Sequence, residues 1–251
     1  MFHAPLFSQR IHLVRNLFVS ILKRYARTFR PRYVVERRIG LHLLLDQSNF
    51  VDRHLLFNGI WELDQVERLC KLVKEAQRVD QPTLFLDIGA HGALYSLLIN
   101  ERIECERIIA FEPVSSNLVQ LRANLLLNDA LSRVEVIEAA VGESEGVMRF
   151  VVAVDENRGR SRIMTGAVES GEKVIEVAVT MVDRVVDCRD TLIVAKIDVE
   201  GAELSVLRGM SKLLAQNRVI LQIECNQRSV RDLDAALSPF GLRRVDEIDA
   251  D

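Results

Sequence analysis

The sequence predicts an α/β protein built on a doubly wound, mostly parallel β-sheet, preceded by an N-terminal extension of a helix and a hairpin. From residue 83 onward, short runs rich in Val, Ile and Leu alternate with segments of helical periodicity. Such runs are typical of parallel strands that helices cover on both faces. The predicted strands lie at 83–88, 107–111, 134–138, 192–197 and 219–224, and the helices at 94–102, 115–127, 202–216 and 229–237.

The stretch between residues 139 and 191 departs from this alternation and is not predicted to be helical. Two β-prone runs, VMRFVVAV at 147–154 and KVIEVAVT at 173–180, flank a polar loop and are interpreted as additional strands. We expect substrate contacts from this loop and from the N-terminal region. One more strand-like run, LRRVDEI at 242–248, follows the last predicted helix.

The first 82 residues divide into two segments ahead of the core at 83–251. Residues 1–31 are predicted as a basic amphipathic helix, because apolar side chains from Ile11 to Phe29 recur at helical spacing and Pro31 ends the pattern. Residues 32–82 are predicted as a hairpin around Gly40 and a helix over 61–78. The helix leaves two interpretations open: residues 8–30 lie on an anionic membrane surface, or they pack on the domain or on a second copy of the chain.

Composition narrows the class of protein. The four cysteines lie far apart without a C-x-x-C pair, so neither a disulfide framework nor a zinc site is indicated, and a cytoplasmic location is expected. Peripheral membrane contact is the alternative that the basic helix leaves open. The longest apolar runs are too short to span a bilayer. No nucleic-acid partner is expected.

The most informative stretch is FLDIGAHGALYSLL, residues 85–98, where a strand meets a helix. In an open α/β sheet the ligand lies at the carboxyl ends of the strands, beside the switch point. Asp87 ends the first strand, and Gly89 and Ala90 follow it in the turn. Glu112 ends the second strand, 23 residues after Gly89, where an acid accepts hydrogen bonds from a ribose diol. The glycine-containing turn and Glu112, at this spacing, together predict an adenosine-type ligand.

The turn departs from the dinucleotide pattern G-x-G-x-x-G. His91 occupies the position of the second glycine, and no third glycine follows in register. A pyrophosphate needs those glycines, and the carboxylate of Asp87 would repel it. S-adenosylmethionine carries a sulfonium and an ammonium group and no phosphate, so the same departures count little against it.

Acidic and amide side chains end the remaining strands. Glu138 ends the third strand and either accepts from an adenine amino group or is solvated. Asp198, Glu200 and Glu203 follow the fourth strand within six residues, more acids than helix capping needs. The side chains at the end of the fifth strand are Glu224 and Asn226.

Four stretches resemble, in this order, the FkbM family of S-adenosylmethionine-dependent methyltransferases: FLDIGAHGALYSL, IIAFEPVSSNLVQLRANLLLN, AAVGESEG and VAKIDVEGAELSVLRGM. The most specific element is KIDVEGAE at 196–203, and the resemblance covers about residues 83–226. It implies a class I methyltransferase fold of Rossmann-like type and O-methylation, often of a sugar or natural-product hydroxyl. It does not cover the basic N-terminus.

The resemblance also implies roles for individual residues. Glu112 matches the ribose-binding acid. In the cofactor loop, His91 and Ala93 replace the Asn and the second Gly of the family's Gly-Ala-Asn-x-Gly, so these replacements bear on cofactor affinity. The residues that match the loop facing the methionine part are Asp87, Gly89 and Ala90, and those that match the acidic signature at the catalytic edge are Asp198 and Glu200.

The predicted reaction transfers a methyl group in line from the sulfonium to an alcohol oxygen of a small-molecule or saccharide acceptor. Asp198 or Glu200 acts as the base if desolvation raises its pKa. Alternatively, Asp198, Glu200 and Glu224 hold a divalent cation that lowers the pKa of the hydroxyl, although a metal-free site is favoured. Glu203, Glu224 and Asn226 are predicted to bind substrate or a metal.

Two other classes of function stay open. A non-catalytic protein of methyltransferase fold would be consistent with the altered loop. A nicotinamide-dependent oxidoreductase is the less favoured alternative.

Overall fold

The computed structural model describes residues 31–153, 162–163 and 172–247. The predicted basic helix and most of the polar loop lie outside these residues. In the described residues, no helix combines the length and apolar character that crossing a membrane requires. All four cysteines are free thiols.

The N-terminal extension begins with the predicted hairpin. Strands β1 (Tyr33–Arg38) and β2 (Leu41–Asp46) pair antiparallel around a turn at Ile39 and Gly40. Helix α1 (Phe50–Asn58), which has no counterpart among the predictions, is capped by the Asn49 side chain accepting from the Val51 amide. The predicted second helix is α2 (Leu63–Ala76), and its buried residues are Val66, Leu69, Cys70 and Val73.

The core follows the predicted alternation closely. Its first half comprises β3 (Thr83–Ile88), α3 (Leu94–Arg102), β4 (Arg107–Phe111), α4 (Ser115–Leu127) and β5 (Val134–Ile137). An insertion follows, with strands β6 (Ala140–Val141), β7 (Gly146–Ala153), β8 (Arg162–Ile163) and β9 (Glu172–Thr180) and the short helix α5 (Val182–Val185). Strands β7 and β9 confirm the two additional strands, whereas α5 contradicts the expectation that this stretch has no helix.

The second half comprises β10 (Leu192–Ile197), α6 (Glu203–Gly209), α7 (Ser211–Gln216), β11 (Arg218–Ile223) and α8 (Val230–Leu237). The single helix predicted over 202–216 is therefore two helices that meet at Met210. The strand predicted at LRRVDEI is wrong over the described residues 242–247, which are irregular.

The central sheet has five parallel strands in the order β11-β10-β3-β4-β5. The chain runs outward from β3 to β5 and then returns to β10, so the switch point lies between β3 and β10. This doubly wound sheet confirms the predicted fold class. A second sheet, in the order β6-β9-β7-β8, stands beside it.

Alternate residues of the central strands supply two cores, because successive side chains of a strand point to opposite faces. Phe85 and Val194 pack with β2, α2, α3 and α4 on one face. Leu84, Leu86 and Ile193 pack with α5 to α8 on the other. Strands β3 and β10 are buried along their whole length.

A row of amides on α4 and in the residue after it ties the extension to the core. Asn124 Oδ1 accepts from the Leu44 amide at 2.7 Å, and Asn128 Oδ1 accepts from the His42 amide at 2.9 Å. Gln120 Nε2 donates to the Leu44 carbonyl at 2.9 Å. These bonds satisfy backbone groups of β2 that β1 does not pair, which fixes the extension beside the carboxyl edge of the sheet.

The packing of α6 predicts a stability effect at Gly209. A Cβ there would lie 1.9 Å from the carbonyl oxygen of Gly142. We expect Gly209→Ala to lower the free energy of unfolding by about 1–3 kcal/mol, since the backbone must shift to admit the methyl group. Chemical denaturation measures this change. Gly146→Ala, where a Cβ meets nothing within 4 Å, serves as the control and should stay within about 0.5 kcal/mol.

Candidate active site

A cavity of about 430 Å³ opens at the carboxyl edge of the central sheet, at the switch point. Its floor is formed by the ends of β3, β4, β10 and β11, and its roof by residues from 43 to 62 of the extension. The volume lies within the range of small-molecule sites. Ligands of doubly wound sheets bind at this place in the fold.

The loop after β3 passes directly against the end of β10. The amides of Gly89 and Ala90 both donate to the Phe111 carbonyl at 3.0 Å. Gly89 has φ +86°, and a Cβ there would lie 1.9 Å from the Asp198 carbonyl oxygen. The glycine is therefore required by the neighbouring backbone.

Asp87 is buried beneath this loop. Its Oδ2 accepts from the amide of Ser96 at 2.9 Å and from the hydroxyl of Ser96 at 2.6 Å. Burial raises the pKa of Asp87, against the nearby Lys196 and the bonds from Ser96. The carboxylate thus joins the cavity wall to the first turn of α3.

Glu112 lies at the end of β4 and is buried. Its Oε2 accepts from the His91 amide at 2.9 Å, and its Oε1 accepts from the Val114 amide at 2.8 Å and from Asn117 Nδ2 at 3.3 Å. Burial raises its pKa, and His91 and these donors oppose the rise. A carboxylate has about four acceptor positions, so one remains for a ligand in the cavity.

The two replaced loop positions, His91 and Ala93, both adopt the left-handed conformation, at φ +48° and φ +64°. His91 Nε2 lies 2.8 Å from Nδ2 of Asn49. Because Asn49 Oδ1 already accepts from the Val51 amide, its Nδ2 donates to the imidazole nitrogen. His91 therefore ties the loop to the start of α1.

Lys196 is the cation of the site, and its role was not predicted. Its side chain is 7% exposed, and its Nζ lies 2.7 Å from Asp198 Oδ2 and 4.8 Å from the centre of the Tyr95 ring. Burial lowers the pKa of Lys196, but Asp198, Glu62 and Asp87 outweigh it and hold the pKa above its ordinary value. The signal in the sequence was a charged residue inside the apolar run LIVAKI.

Glu62, Phe50 and Trp61 of the extension also line the cavity. Tyr95 donates its hydroxyl proton to Glu62 at 3.0 Å and accepts from Gln222 Nε2 at 2.7 Å. Beside them, the rings of Phe50 and Trp61 meet edge to face with centroids 5.8 Å apart, and both line the cavity. Sequence reasoning missed these residues as site components.

Asp198, Glu200 and Glu224 all line the cavity. Glu200 occupies the turn after β10 at φ +51°. The amide of Glu224 donates to the Ile197 carbonyl at 2.9 Å, which places Glu224 next to Asp198. Burial and the charge of Asp198 raise the pKa of Glu224 to about 7.

The structure does not bring three predicted site residues to the cavity. Glu138 is exposed and pairs with Arg122, so this geometry gives no support to adenine binding by Glu138. Glu203 is buried and accepts from the Gly201 amide at 2.7 Å, which closes the turn before α6. Asn226 Oδ1 accepts from the Ser229 amide at 3.1 Å, so it orders the turn before α8.

In the part of the chain that the structure describes, no three His, Cys, Asp or Glu side chains are grouped to hold a metal ion.

Comparison with known proteins gives consistent matches. The family described as the methyltransferase FkbM domain matches residues 87–243. Methyltransferase sdnD from Sordaria araneosa is 27% identical over an aligned length of 155 residues, and the match covers 51% of this chain and 60% of that protein.

Solved structures also match parts of the chain. Methyltransferase FkbM from Methylobacillus flagellatus KT has a TM-score of 0.46 at 24% identity, over 67% of this chain and 40% of that chain. A SAM-dependent methyltransferase from Agrobacterium tumefaciens has a TM-score of 0.48 at 12% identity, over 84% of this chain and 58% of that chain. The chain spans less than two thirds of the length of these relatives.

The bond between His91 and Asn49 predicts the effect of removing the imidazole. We expect His91→Ala to lower the free energy of unfolding by about 1–2 kcal/mol, because the amide of Asn49 loses its acceptor. His42→Ala is the control: His42 is exposed on β2, and its loss should cost about 0.5 kcal/mol or less. Denaturant titration of both variants makes the comparison, and equal stabilities would contradict a structural role for the ring of His91.

Proposed function

The chain belongs to the FkbM methyltransferase family, and on this basis we propose that it transfers a methyl group from S-adenosylmethionine to a hydroxyl oxygen of a sugar, glycolipid or natural product. The observation that carries the proposal is the charge of the cavity. Among the described residues that line it, Lys196 is the only Lys or Arg side chain, and it is paired with Asp198. The lining carboxylates far outnumber it.

This charge distribution favours a cationic ligand over a pyrophosphate. A dinucleotide would place its phosphates near Asp87 and Glu112 with no free cation among the described lining residues to compensate them. The sulfonium and ammonium groups of S-adenosylmethionine are instead attracted to carboxylates. The nicotinamide alternative is therefore disfavoured on electrostatic grounds.

The residues present fit the parts of S-adenosylmethionine. The remaining acceptor position of Glu112 suits a ribose hydroxyl, and Phe111, Pro113 and Val114 supply an apolar surface for the adenine. Gly89 and Ala90 would face the methionine part. Bound S-adenosylmethionine supplies an electrophilic methyl group, so the protein mainly has to align the acceptor and receive its proton.

The acceptor would enter from the side of β10 and β11. Asp198 and Glu200, the catalytic acids indicated by the family signature, lie at that end of the cavity, and Phe50 and Trp61 form its outer wall. Aromatic rings bury the apolar faces of a ligand, while the carboxylates accept hydrogen bonds from hydroxyl groups. This combination supports a hydroxyl-rich acceptor such as a saccharide.

Glu112 and Glu138 were both predicted to bind the adenosine part of the cofactor, so substituting each in turn tests the proposed cofactor site. We expect Glu112→Ala to weaken binding of S-adenosylhomocysteine about 10- to 100-fold, since a hydrogen bond to a charged group contributes about 1.5–3 kcal/mol. Glu138→Ala, which removes a side chain outside the cavity, should leave the affinity unchanged. Isothermal titration calorimetry measures both variants.

Binding of S-adenosylhomocysteine by neither the wild type nor Glu138→Ala would contradict the proposed cofactor. The acceptor class is tested separately with S-adenosylmethionine carrying a labelled methyl group. A panel of methyl glycosides, each with one free hydroxyl, shows which position becomes labelled.

A further inference from the structure

We infer that Glu224 is the general base that takes the proton of the acceptor hydroxyl, and that Lys196 and Asp198 act as positioning residues beside it. The inference rests on the proposed function, because it assigns a role within the proposed methyl transfer. It differs from the assignment that the sequence favoured, in which Asp198 or Glu200 was the base.

The first argument is the state of the other acids. Several carboxylates that line the cavity already accept hydrogen bonds from the protein, and such bonds to the ionised form weaken a carboxylate as a base. No hydrogen bond to the Glu224 carboxylate is found within residues 31–153, 162–163 and 172–247. The occupied acceptors are Asp87 with Ser96, Glu112 with His91 and Val114, Glu62 with Tyr95, and Asp198 with Lys196.

The second argument is the asymmetry between two neighbouring strand ends. Ile197 and Ile223 are paired in register, so the next residues, Asp198 and Glu224, lie side by side. Lys196 Nζ lies 2.7 Å from Asp198 Oδ2 and forms an ion pair with that carboxylate. Among the described residues, no Lys or Arg forms an ion pair with Glu224, which faces the negative charge of Asp198. Environments that separate two carboxyl groups in this way are typical of acid–base pairs.

The charges around Glu224 agree with this role. Burial and then Asp198 raise its pKa to about 7, Glu62 and Glu200 add to the rise, and Lys196 opposes it. A carboxylate with this pKa is a stronger base than an ordinary glutamate and is about half ionised at pH 7. The carboxyl group is partly enclosed by the cavity, while the residue as a whole is exposed, so the proton can leave to solvent.

The step is balanced without a further reactant. The acceptor oxygen forms a bond to the methyl carbon as the bond from that carbon to sulfur breaks, and the electron pair stays on sulfur. The proton of the acceptor hydroxyl passes to the Glu224 carboxylate. Water then takes this proton, which restores the base.

The test that needs no acceptor is a titration of the protein bound to S-adenosylhomocysteine. Carbon-13 NMR of protein labelled at glutamate carboxyl carbons should show one resonance that titrates near neutral pH and is lost in Glu224→Gln. Asp198→Asn should move this titration to lower pH, because a like charge is removed. Lys196→Met should move it to higher pH. A Glu224 resonance that titrates at the ordinary glutamate pKa would overturn the inference.

The kinetic test uses the methyl glycoside that is labelled fastest. The kcat/KM of the wild type should fall below neutral pH, and Glu224→Gln should lower the plateau at least about 100-fold and abolish this acidic limb. Asp198→Asn should retain the limb and shift it to lower pH. Loss of the limb in Asp198→Asn together with its retention in Glu224→Gln would assign the base to Asp198 and overturn the inference.

Failure of this inference is distinguishable from failure of the proposed function. Binding of S-adenosylhomocysteine tests the proposed function alone, since Glu224→Gln leaves the residues assigned to the adenosine unchanged. Protein that binds S-adenosylhomocysteine but lacks the Glu224 titration would retain the proposed cofactor and lose the proposed base.

Discussion

The buried ammonium of Lys196 constrains the arrangement of the whole site. It lies on β10, a strand with every residue buried or nearly so, and a buried cation is tolerated only when it is paired. Asp198 supplies the pairing carboxylate, and the ring of Tyr95 covers the ammonium. Tyr95 in turn is fixed by Glu62 and Gln222. The charge on the central strand is thus linked to side chains from the start of α2, from α3, from the turn after β10 and from β11.

The same arrangement depends on the N-terminal extension. Gln120 and Asn124 of α4 are polar residues that face inward, where they satisfy backbone groups of β2. Asp52 of α1 accepts from Gln120 and from the Asp46 amide. Because these bonds are buried, separating the extension from the core would leave polar groups without partners. The roof of the cavity is therefore held by specific bonds as well as by apolar packing.

The sequence predicted the strands and the strand ends well, because these are local patterns of Val, Ile and Leu ended by an acid. It identified Asp87, Glu112 and Asp198 at the cavity for that reason. It placed Glu138 and Asn226 there by the same rule, yet their side chains turn to Arg122 and to the Ser229 amide. The direction of a side chain beyond a strand end depends on the neighbouring turn, which periodicity does not encode. Helix α1 was missed since its apolar face is short and interrupted.

The loop after β3 shows which glycines the fold requires. Gly89 is retained because the carbonyl of Asp198 occupies the space of a Cβ, and this contact would exist with any ligand. At positions 91 and 93 the requirement is only a left-handed backbone, which His and Ala adopt here at a conformational cost. Bonds from the His91 amide to Glu112 and from Asn49 to its ring offset part of that cost. The backbone conformation of the loop is therefore compatible with His91 and Ala93, and the loop still presents its backbone to a ligand bound at this edge of the sheet.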